Sequence, residues 1–134
     1  FFKKGGSVNK NYLLLLALFS FESHAQSVDF NQLYQTWSGE KATVSSAAKG
    51  KELWGYELIP GKSCSACHGD NLSQTGSHVK TNKLIKPLSP KANSKRLTKV
   101  RKINKWLKRN CKFTYKRECT PEEKVSFIEF IRNN

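Results

Sequence analysis

The 134-residue sequence contains no methionine, few acidic residues and no long apolar run. Without methionine, a thioether sulfur is excluded as a ligand of any metal. Only 10 Asp and Glu stand against 24 Lys and Arg, which gives a formal net charge of +14. A chain this basic suits an acidic protein partner, an anionic membrane face or nucleic acid. The longest apolar run, Tyr12 to Phe21, is too short for a comfortable transmembrane helix.

The first 25 residues have the pattern of a secretory signal peptide. Three lysines precede the apolar run, and Ser23-His24-Ala25 supplies small residues for cleavage. We therefore predict a cleaved leader over residues 1–25 and a mature domain over 26–134, exported to the periplasm; an uncleaved anchor is the alternative. The leader carries three lysines and one glutamate, so the mature chain keeps a charge of +12. Export argues against nucleic acid as the partner.

The most informative motif is Cys64-Ser65-Ala66-Cys67-His68, the attachment pattern of a c-type haem. Each thiol can form a thioether to one porphyrin vinyl group, and the next residue then supplies an imidazole as proximal iron ligand. We predict one covalent haem c on Cys64 and Cys67 with His68 as proximal ligand. A carbonyl near Lys86 or Pro87 is a candidate acceptor for the Nδ1 proton of His68. Because methionine is absent, the distal side must hold another ligand.

The four cysteines leave two other interpretations of this motif. A zinc site would need a fourth ligand from Cys111, Cys119 or His78, and the sequence has no second close ligand pair. A thioredoxin-like dithiol would need a βαβ context, which the pattern does not show. If haem occupies the first two cysteines, Cys111 and Cys119 most simply form a disulfide in an oxidising compartment.

Apolar spacing predicts an all-α, single-domain, cytochrome c-like fold around one covalent haem. The predicted helices are Phe30–Trp37, Ser45 or Ser46 to Tyr56, about Ser94–Asn110, and one that starts after Thr120 with Pro121 and Glu123 in a capping box. The segment from Gly69 to Pro90 is predicted to be a loop that wraps the haem. Gly50, inside the second helix, suggests that another element approaches closely there, and the last helix is suited to pack across it.

The third helix separates an apolar half from a strongly basic half. Asn110 projects between Ile103 and Trp106, so its amide points toward the apolar side, where it needs a hydrogen-bond partner or a metal. Asparagine also suits a helix C-cap, and the pattern alone favours that role.

Four segments together resemble the sphaeroides haem protein (SHP) family, small exported class I-like c-type cytochromes. They are Cys64-Ser65-Ala66-Cys67-His68-Gly69, Ile85-Lys86-Pro87-Leu88-Ser89-Pro90, Lys105-Trp106-Leu107-Lys108-Arg109-Asn110-Cys111 and Cys119-Thr120-Pro121-Glu122-Glu123-Lys124. The resemblance runs from about Phe30 to the C-terminus in matching order.

The resemblance implies that Asn110 is the distal ligand of the oxidised iron and leaves on reduction, so that oxygen or nitric oxide can bind. It likewise implies a disulfide between Cys111 and Cys119. Lys116 departs from the family pattern, which has a glycine within the disulfide loop.

Three functions remain open at this point. The first is a redox-active haem protein that binds a diatomic gas at the site vacated by Asn110, and that exchanges electrons with an acidic or membrane-bound cytochrome. The second is a plain six-coordinate electron carrier, with His78 or a lysine as permanent distal ligand. The third is catalysis such as oxygen reduction, for which the sequence offers no dedicated distal acid or base.

Overall fold

The computed structural model describes Phe1, residues 27–39 and residues 46–134, so the predicted leader lies outside the described residues except for Phe1. The described part contains α1 Phe30–Ser38, α2 Ala47–Gly55, α3 Cys64–His68, β1 Gly76–Ser77, β2 Leu84–Ile85, α4 Val100–Tyr115 and α5 Pro121–Arg132. None of these helices is long and apolar enough to cross a membrane. The prediction of an all-α fold is confirmed.

Side-chain caps define where three of the helices begin. Asp29 accepts a hydrogen bond from the backbone N–H of Gln32 at 3.1 Å, and Ser46 accepts one from the N–H of Lys49 at 3.1 Å. Thr120 and Glu123 form the predicted capping box at the start of α5. Each cap satisfies a backbone donor that the first helical turn leaves unpaired.

The crossing of α2 over α5 is the closest helix contact in the described part of the chain. A Cβ at Gly50 would collide with the carbonyl oxygen of Ser126 and with Cβ of Phe130. The two backbones therefore approach within a distance that only glycine permits, as the sequence predicted. This crossing brings Trp54 of α2 against Phe127 and Phe130 of α5.

The core consists of two groups of buried side chains that share α5. The larger group contains Trp54, Leu72, Cys111, Tyr115, Cys119, Phe127, Phe130 and Ile131. The smaller group contains Leu33, Ile103 and Ile128 and lies under α1. Tyr34 of α1 donates a hydrogen bond to Glu129 of α5 at 2.6 Å, which attaches the first helix to the last.

Two predictions about chain segments were wrong in detail. The predicted loop Gly69–Pro90 contains a small antiparallel hairpin, in which Gly76 pairs with Ile85 and Ser77 with Leu84. The helix that was predicted from about Ser94 to Asn110 is α4, and it runs from Val100 to Tyr115. Leu97 has a left-handed φ of 55°, which interrupts any helix at that point. At the other end the helix continues because Cys111, Thr114 and Tyr115 are buried.

Candidate haem site

The short helix α3 carries all three predicted attachment and proximal residues. Ser63 caps it by accepting the backbone N–H of Ala66 at 3.1 Å, and Gly69 ends it with a φ of 70°. Cys64 and Cys67 are both free and partly buried, one helical turn apart. His68 follows directly, so the helix presents two thiols and an imidazole from adjacent positions.

The thiol of Cys64 lies against the end of α4. Burial raises the pKa of the thiol to about 11, and the nearby hydroxyl groups of Tyr115 and Thr114 act in the opposite direction. Tyr115 is itself fixed by a 2.6 Å hydrogen bond that its hydroxyl donates to the carbonyl of Leu53. A buried, neutral thiol is unlike the low-pKa nucleophile of dithiol redox motifs. The surroundings of Cys64 thus argue against the thioredoxin-like interpretation.

The imidazole of His68 is held beside Trp54. The two ring centroids are 5.6 Å apart, and the indole Nε1–H of Trp54 donates to the carbonyl of Gly69 at 2.9 Å. Burial, with a smaller contribution from the charge of Arg96, lowers the pKa of His68 to about 4. The ring is therefore neutral at pH 7, which is the form that ligates a metal.

The proposed carbonyl partners of His68 have other donors. The guanidinium of Arg96 donates to the carbonyl of Lys86 at 2.6 Å and to that of Pro87 at 2.8 Å. Asn93 donates a further hydrogen bond to the Pro87 carbonyl at 3.2 Å. Two donors fill both lone pairs of the Pro87 oxygen. Arg96 therefore fixes the segment of Lys86 and Pro87. That a carbonyl near Lys86 or Pro87 accepts the Nδ1 proton of His68 stays a prediction, and the Lys86 carbonyl, with one donor, is the freer of the two.

The elements around α3 fit a large flat apolar group. A Cβ at Gly76 would collide with the carbonyl of Cys67 and approach the Cα of His68, so the hairpin closes directly on the α3 backbone. Exposed apolar side chains occur on β2, where Leu84 is 75% exposed, and on α4, where Trp106 is 48% exposed. Two free thiols and a neutral imidazole on one short helix, with exposed apolar side chains on the hairpin and on α4, are features that a covalent haem would use. No cluster of three or more His, Cys, Asp and Glu suited to a metal ion occurs among the described residues.

Asn110 is a residue of the helix interior and not its cap. Helix α4 continues for five residues beyond it, and the C-cap is Lys116 in the left-handed conformation. The capping role, which the sequence pattern favoured, is therefore wrong. Asn110 precedes Thr114 by four residues, so both lie on the face of α4 that contacts Cys64. Its side chain is exposed and makes no hydrogen bond to any described residue.

His78, the alternative distal ligand, occupies the turn of the hairpin. Its Nδ1 accepts the backbone N–H of Lys80 at 3.3 Å, and its ring lies 6.4 Å from that of Phe113. Its backbone N–H also donates to the carbonyl of Lys83 at 2.9 Å. These contacts give His78 a local role in shaping the turn.

A disulfide joins Cys111 to Cys119, with their Cα atoms 5.5 Å apart. It connects the helical turn that follows Asn110 to the residue before the Thr120 cap of α5. Since both cysteines are buried in the larger core group, the position of Asn110 along α4 is fixed by the core.

Sequence reasoning missed three residues of the site. Gly76, Arg96 and Tyr115 contact or fix the haem motif, yet each lies in a segment whose pattern suggested something else. Arg96 stands in a run of basic residues, and Tyr115 follows the predicted helix end. The left-handed turn at Leu97 brings Arg96 to the site, and the extension of α4 beyond Asn110 brings Tyr115 to Cys64.

The fold and this motif define a small helical c-type cytochrome. A family model described as a domain of unknown function, DUF1924, matches residues 40–131. The cytochrome c-type protein SHP of Cereibacter sphaeroides is 31% identical over 124 residues, covering 90% of this chain and 95% of that protein. Cytochrome c'' of Methylophilus methylotrophus is 28% identical over 102 residues, covering 76% of this chain and 57% of that protein.

Two solved structures are also similar. Oxidised SHP, described as an oxygen-binding cytochrome c, superposes with a TM-score of 0.69 at 31% identity and covers 81% of this chain and all of its own. Oxidised cytochrome c'' superposes with a TM-score of 0.63 at 26% identity, covering 75% of this chain and 90% of its own. The chain belongs to the DUF1924 family and to the sphaeroides haem protein family; it is a monohaem c-type cytochrome.

Proposed function

We propose that this protein is an exported, redox-active cytochrome in which Asn110 ligates the oxidised iron and leaves on reduction, so that oxygen or nitric oxide can bind. The observation that carries the proposal is the place of Asn110 in α4. It stands inside the helix, free of a capping role, on the face that also carries Thr114 beside Cys64.

Within this proposal, Cys64 and Cys67 hold the haem and His68 ligates the iron from the proximal side. The bound haem supplies an iron centre that changes between ferric and ferrous states. The protein fixes the proximal imidazole through Trp54 and through the close contact of Gly76 with α3. Rigid placement of the proximal ring leaves the distal side as the place where ligation can change.

The side-chain amide of Asn110 suits a ligand that must leave. An amide oxygen is a weak, hard donor, which ferric iron tolerates and ferrous iron matches poorly. The core and the disulfide hold the α4 backbone, so the departure of Asn110 requires only a side-chain rotation. The exposed side chain makes no hydrogen bond to another described residue, so that rotation breaks none.

The relatives support a gaseous ligand, since the SHP structure is described as that of an oxygen-binding cytochrome c. The plain electron carrier with His78 as distal ligand is less well supported, because His78 directly follows β1, which closes on the α3 backbone that carries the proximal His68. Periplasmic export rests on the sequence of residues 1–25, and an acidic electron donor rests on the net positive charge.

The decisive experiment compares optical spectra of the wild type, Asn110→Ala and Asn110→His. For Asn110→Ala we expect a ferric spectrum of five-coordinate or water-ligated haem, with binding of carbon monoxide to the ferrous form retained. Asn110→His should keep six ligands in both states and lose carbon monoxide binding, because an imidazole ligates ferrous iron well.

Asn104→Ala is the matched control on the same helix. Asn104 accepts a 2.9 Å hydrogen bond from the indole of Trp37, so its loss should affect stability and leave the iron spectra unchanged. An unchanged ferric spectrum in Asn110→Ala overturns the assignment. In that case His78→Ala would be examined next in the same assay.

A further inference from the structure

Two lysines from separate segments lie over the ring of Phe113, and a third lysine lies close to one of them. Lys62 precedes α3, Lys80 lies in the hairpin turn, and Lys116 is the C-cap of α4. The ammonium groups of Lys62 and Lys80 lie 5.4 Å and 5.9 Å from the centre of the Phe113 ring. Lys116 follows Phe113 by three residues, and its charge acts on Lys62. We call Lys62, Lys80 and Lys116 the lysine triad.

The triad has no acidic partner among the described residues. The ion pairs in that part of the chain use other cations, namely Lys49, Lys108, Lys112, Arg117 and Arg132. Mutual repulsion is evident at Lys62, whose pKa is lowered mainly by the charge of Lys116, with smaller contributions from desolvation and Lys80. Like charges held together without a counter-charge favour an anionic partner.

The triad lies beside the attachment point of the haem. Lys62 is two residues before Cys64, and Phe113 lies at the end of α4 against which Cys64 packs. An exposed apolar side chain accompanies the cations, since Val79 adjoins Lys80. The surface thus combines a small apolar centre with positive charges around it, as transient protein interfaces do.

We propose that the lysine triad around Phe113 is the docking surface for the acidic face of an electron-transfer protein that reduces the haem. This inference rests on the proposed redox function and specifies where the electron enters. An acidic protein docked on the triad brings its own redox centre to the side of the haem that Cys64 holds. A small anion fits less well, since the lysines are exposed and surround a ring rather than a closed pocket.

The basic face of α4 is the competing surface. It carries more positive charge, but Lys105 and Arg109 lie over the exposed ring of Trp106, at 5.8 Å and 5.1 Å from its centre. Lys108 and Lys112 already face Glu118 at 3.4 Å and 3.8 Å. A run of charges on a helix most often forms a face that is exposed to water and binds no partner. The triad differs because its charges come from three segments and meet at one place.

The test uses two triple variants of the holoprotein with equal net charge. Lys62→Gln/Lys80→Gln/Lys116→Gln removes the triad, and Arg101→Gln/Lys102→Gln/Lys105→Gln removes three exposed charges from the basic face of α4. Reduced plant-type ferredoxin, an acidic one-electron donor, serves as the probe. One electron passes from its iron–sulfur cluster to the ferric haem iron, and stopped-flow absorbance measures the second-order rate constant at several salt concentrations.

We expect the triad variant to lower the rate constant about tenfold at low salt, because steering of this size is typical of complementary charge. The helix variant should change it less than about threefold. The difference should vanish at high salt, since the Debye length falls from about 30 Å at 0.01 M to about 3 Å at 1 M. An equal or larger effect of the helix variant overturns the proposal.

Two further readouts separate this proposal from its alternatives. Both variants should keep the wild-type ferric spectrum, because neither touches an iron ligand; the identity of the distal ligand is decided by Asn110→Ala alone. A shifted reduction potential with a rate effect that persists at high salt would mean that the triad neutralises the haem carboxylates, which overturns docking. If the triple variant fails to fold, Lys62→Gln/Lys80→Gln against Lys102→Gln/Lys105→Gln provides the same comparison.

Discussion

Asn110 occupies a position where asparagine is unfavourable by local energetics. In a helix interior it is about 0.5 to 0.7 kcal/mol less favourable than alanine. No hydrogen bond to another described residue offsets this cost. If Asn110 had no ligand role, Asn110→Ala should therefore stabilise the protein slightly. A loss of ferric stability in that variant would instead point to a bond between the amide and the iron.

Lys116 is a second residue that is unfavourable where it stands, because a side chain with a Cβ is strained in its backbone conformation. It adopts φ 58° and ψ 15°, a left-handed geometry that costs a residue with a Cβ about 1 to 2 kcal/mol. We predict that Lys116→Gly unfolds at higher denaturant than Lys116→Ala, by about 1 kcal/mol, because glycine adopts this geometry without strain. Both variants remove the same charge, so the comparison isolates the backbone. Equal stability would show that the turn carries no strain.

At the scale of elements, the α2 and α5 crossing depends on Gly50. Gly50→Ala should destabilise the protein by about 1 to 3 kcal/mol, because the new methyl group would collide with the Ser126 carbonyl and Phe130. Thermal unfolding of the holoprotein measures this. Gly55→Ala in the same helix is the control: nothing lies within 4 Å of its Cβ, and alanine favours helix by up to about 1 kcal/mol. Equal effects of the two changes would contradict the close crossing.

The start of α5 should give stability a dependence on pH. Glu123 accepts hydrogen bonds from Arg117 at 2.7 Å and 2.8 Å and from the N–H of Thr120 at 2.9 Å. The Arg117 contacts, with a smaller contribution from Thr120, lower the pKa of Glu123 below its ordinary value of 4.5. A lowered folded-state pKa stabilises the protein above 4.5 and ceases to do so as pH falls through the folded value.

We therefore predict that Glu123→Gln lowers the free energy of unfolding at pH 7 by about 0.5 to 1 kcal/mol. The difference from the wild type should disappear below the folded-state pKa, where Glu123 is protonated too. Denaturant unfolding at a series of pH values measures both effects. Glu122→Gln, in the same helical turn without a side-chain partner in the described structure, is the control for helix-dipole effects. A difference that is constant across pH would contradict the prediction.

At the scale of the whole molecule, local patterns predicted the elements whose signals are local. The apolar stripe of α1, the Ser46 cap and the Thr120 capping box all lie where the sequence placed them. The ends of α4 could not be predicted in the same way. Its start depends on the left-handed Leu97 and on Arg96 bonding to distant carbonyls. Its end depends on burial of Cys111 and Tyr115. The C-cap, Lys116, is not a residue type that marks a helix end in a sequence.

The candidate site was predictable to the extent that covalent chemistry dictates it. The spacing of Cys64, Cys67 and His68 is itself the attachment pattern of a c-type haem. Residues that shape the site through packing, such as Gly76 against Cys67, have no signature in one sequence. The proposed role of Asn110 draws on both kinds of information, since its helix position contradicts the cap that its residue type suggested.

The haem itself should act as part of the hydrophobic core. Cys64→Ala/Cys67→Ala should abolish covalent haem, seen as loss of peroxidase-active staining on a denaturing gel. The variant should also unfold more easily, because side chains such as Leu84 and Trp106 then lose an apolar partner. Cys111→Ala/Cys119→Ala removes the same number of cysteines and should retain the stain, while losing about 2 to 3 kcal/mol with the disulfide. Stoichiometric zinc without haem in the purified wild type would contradict the attachment of haem to Cys64 and Cys67.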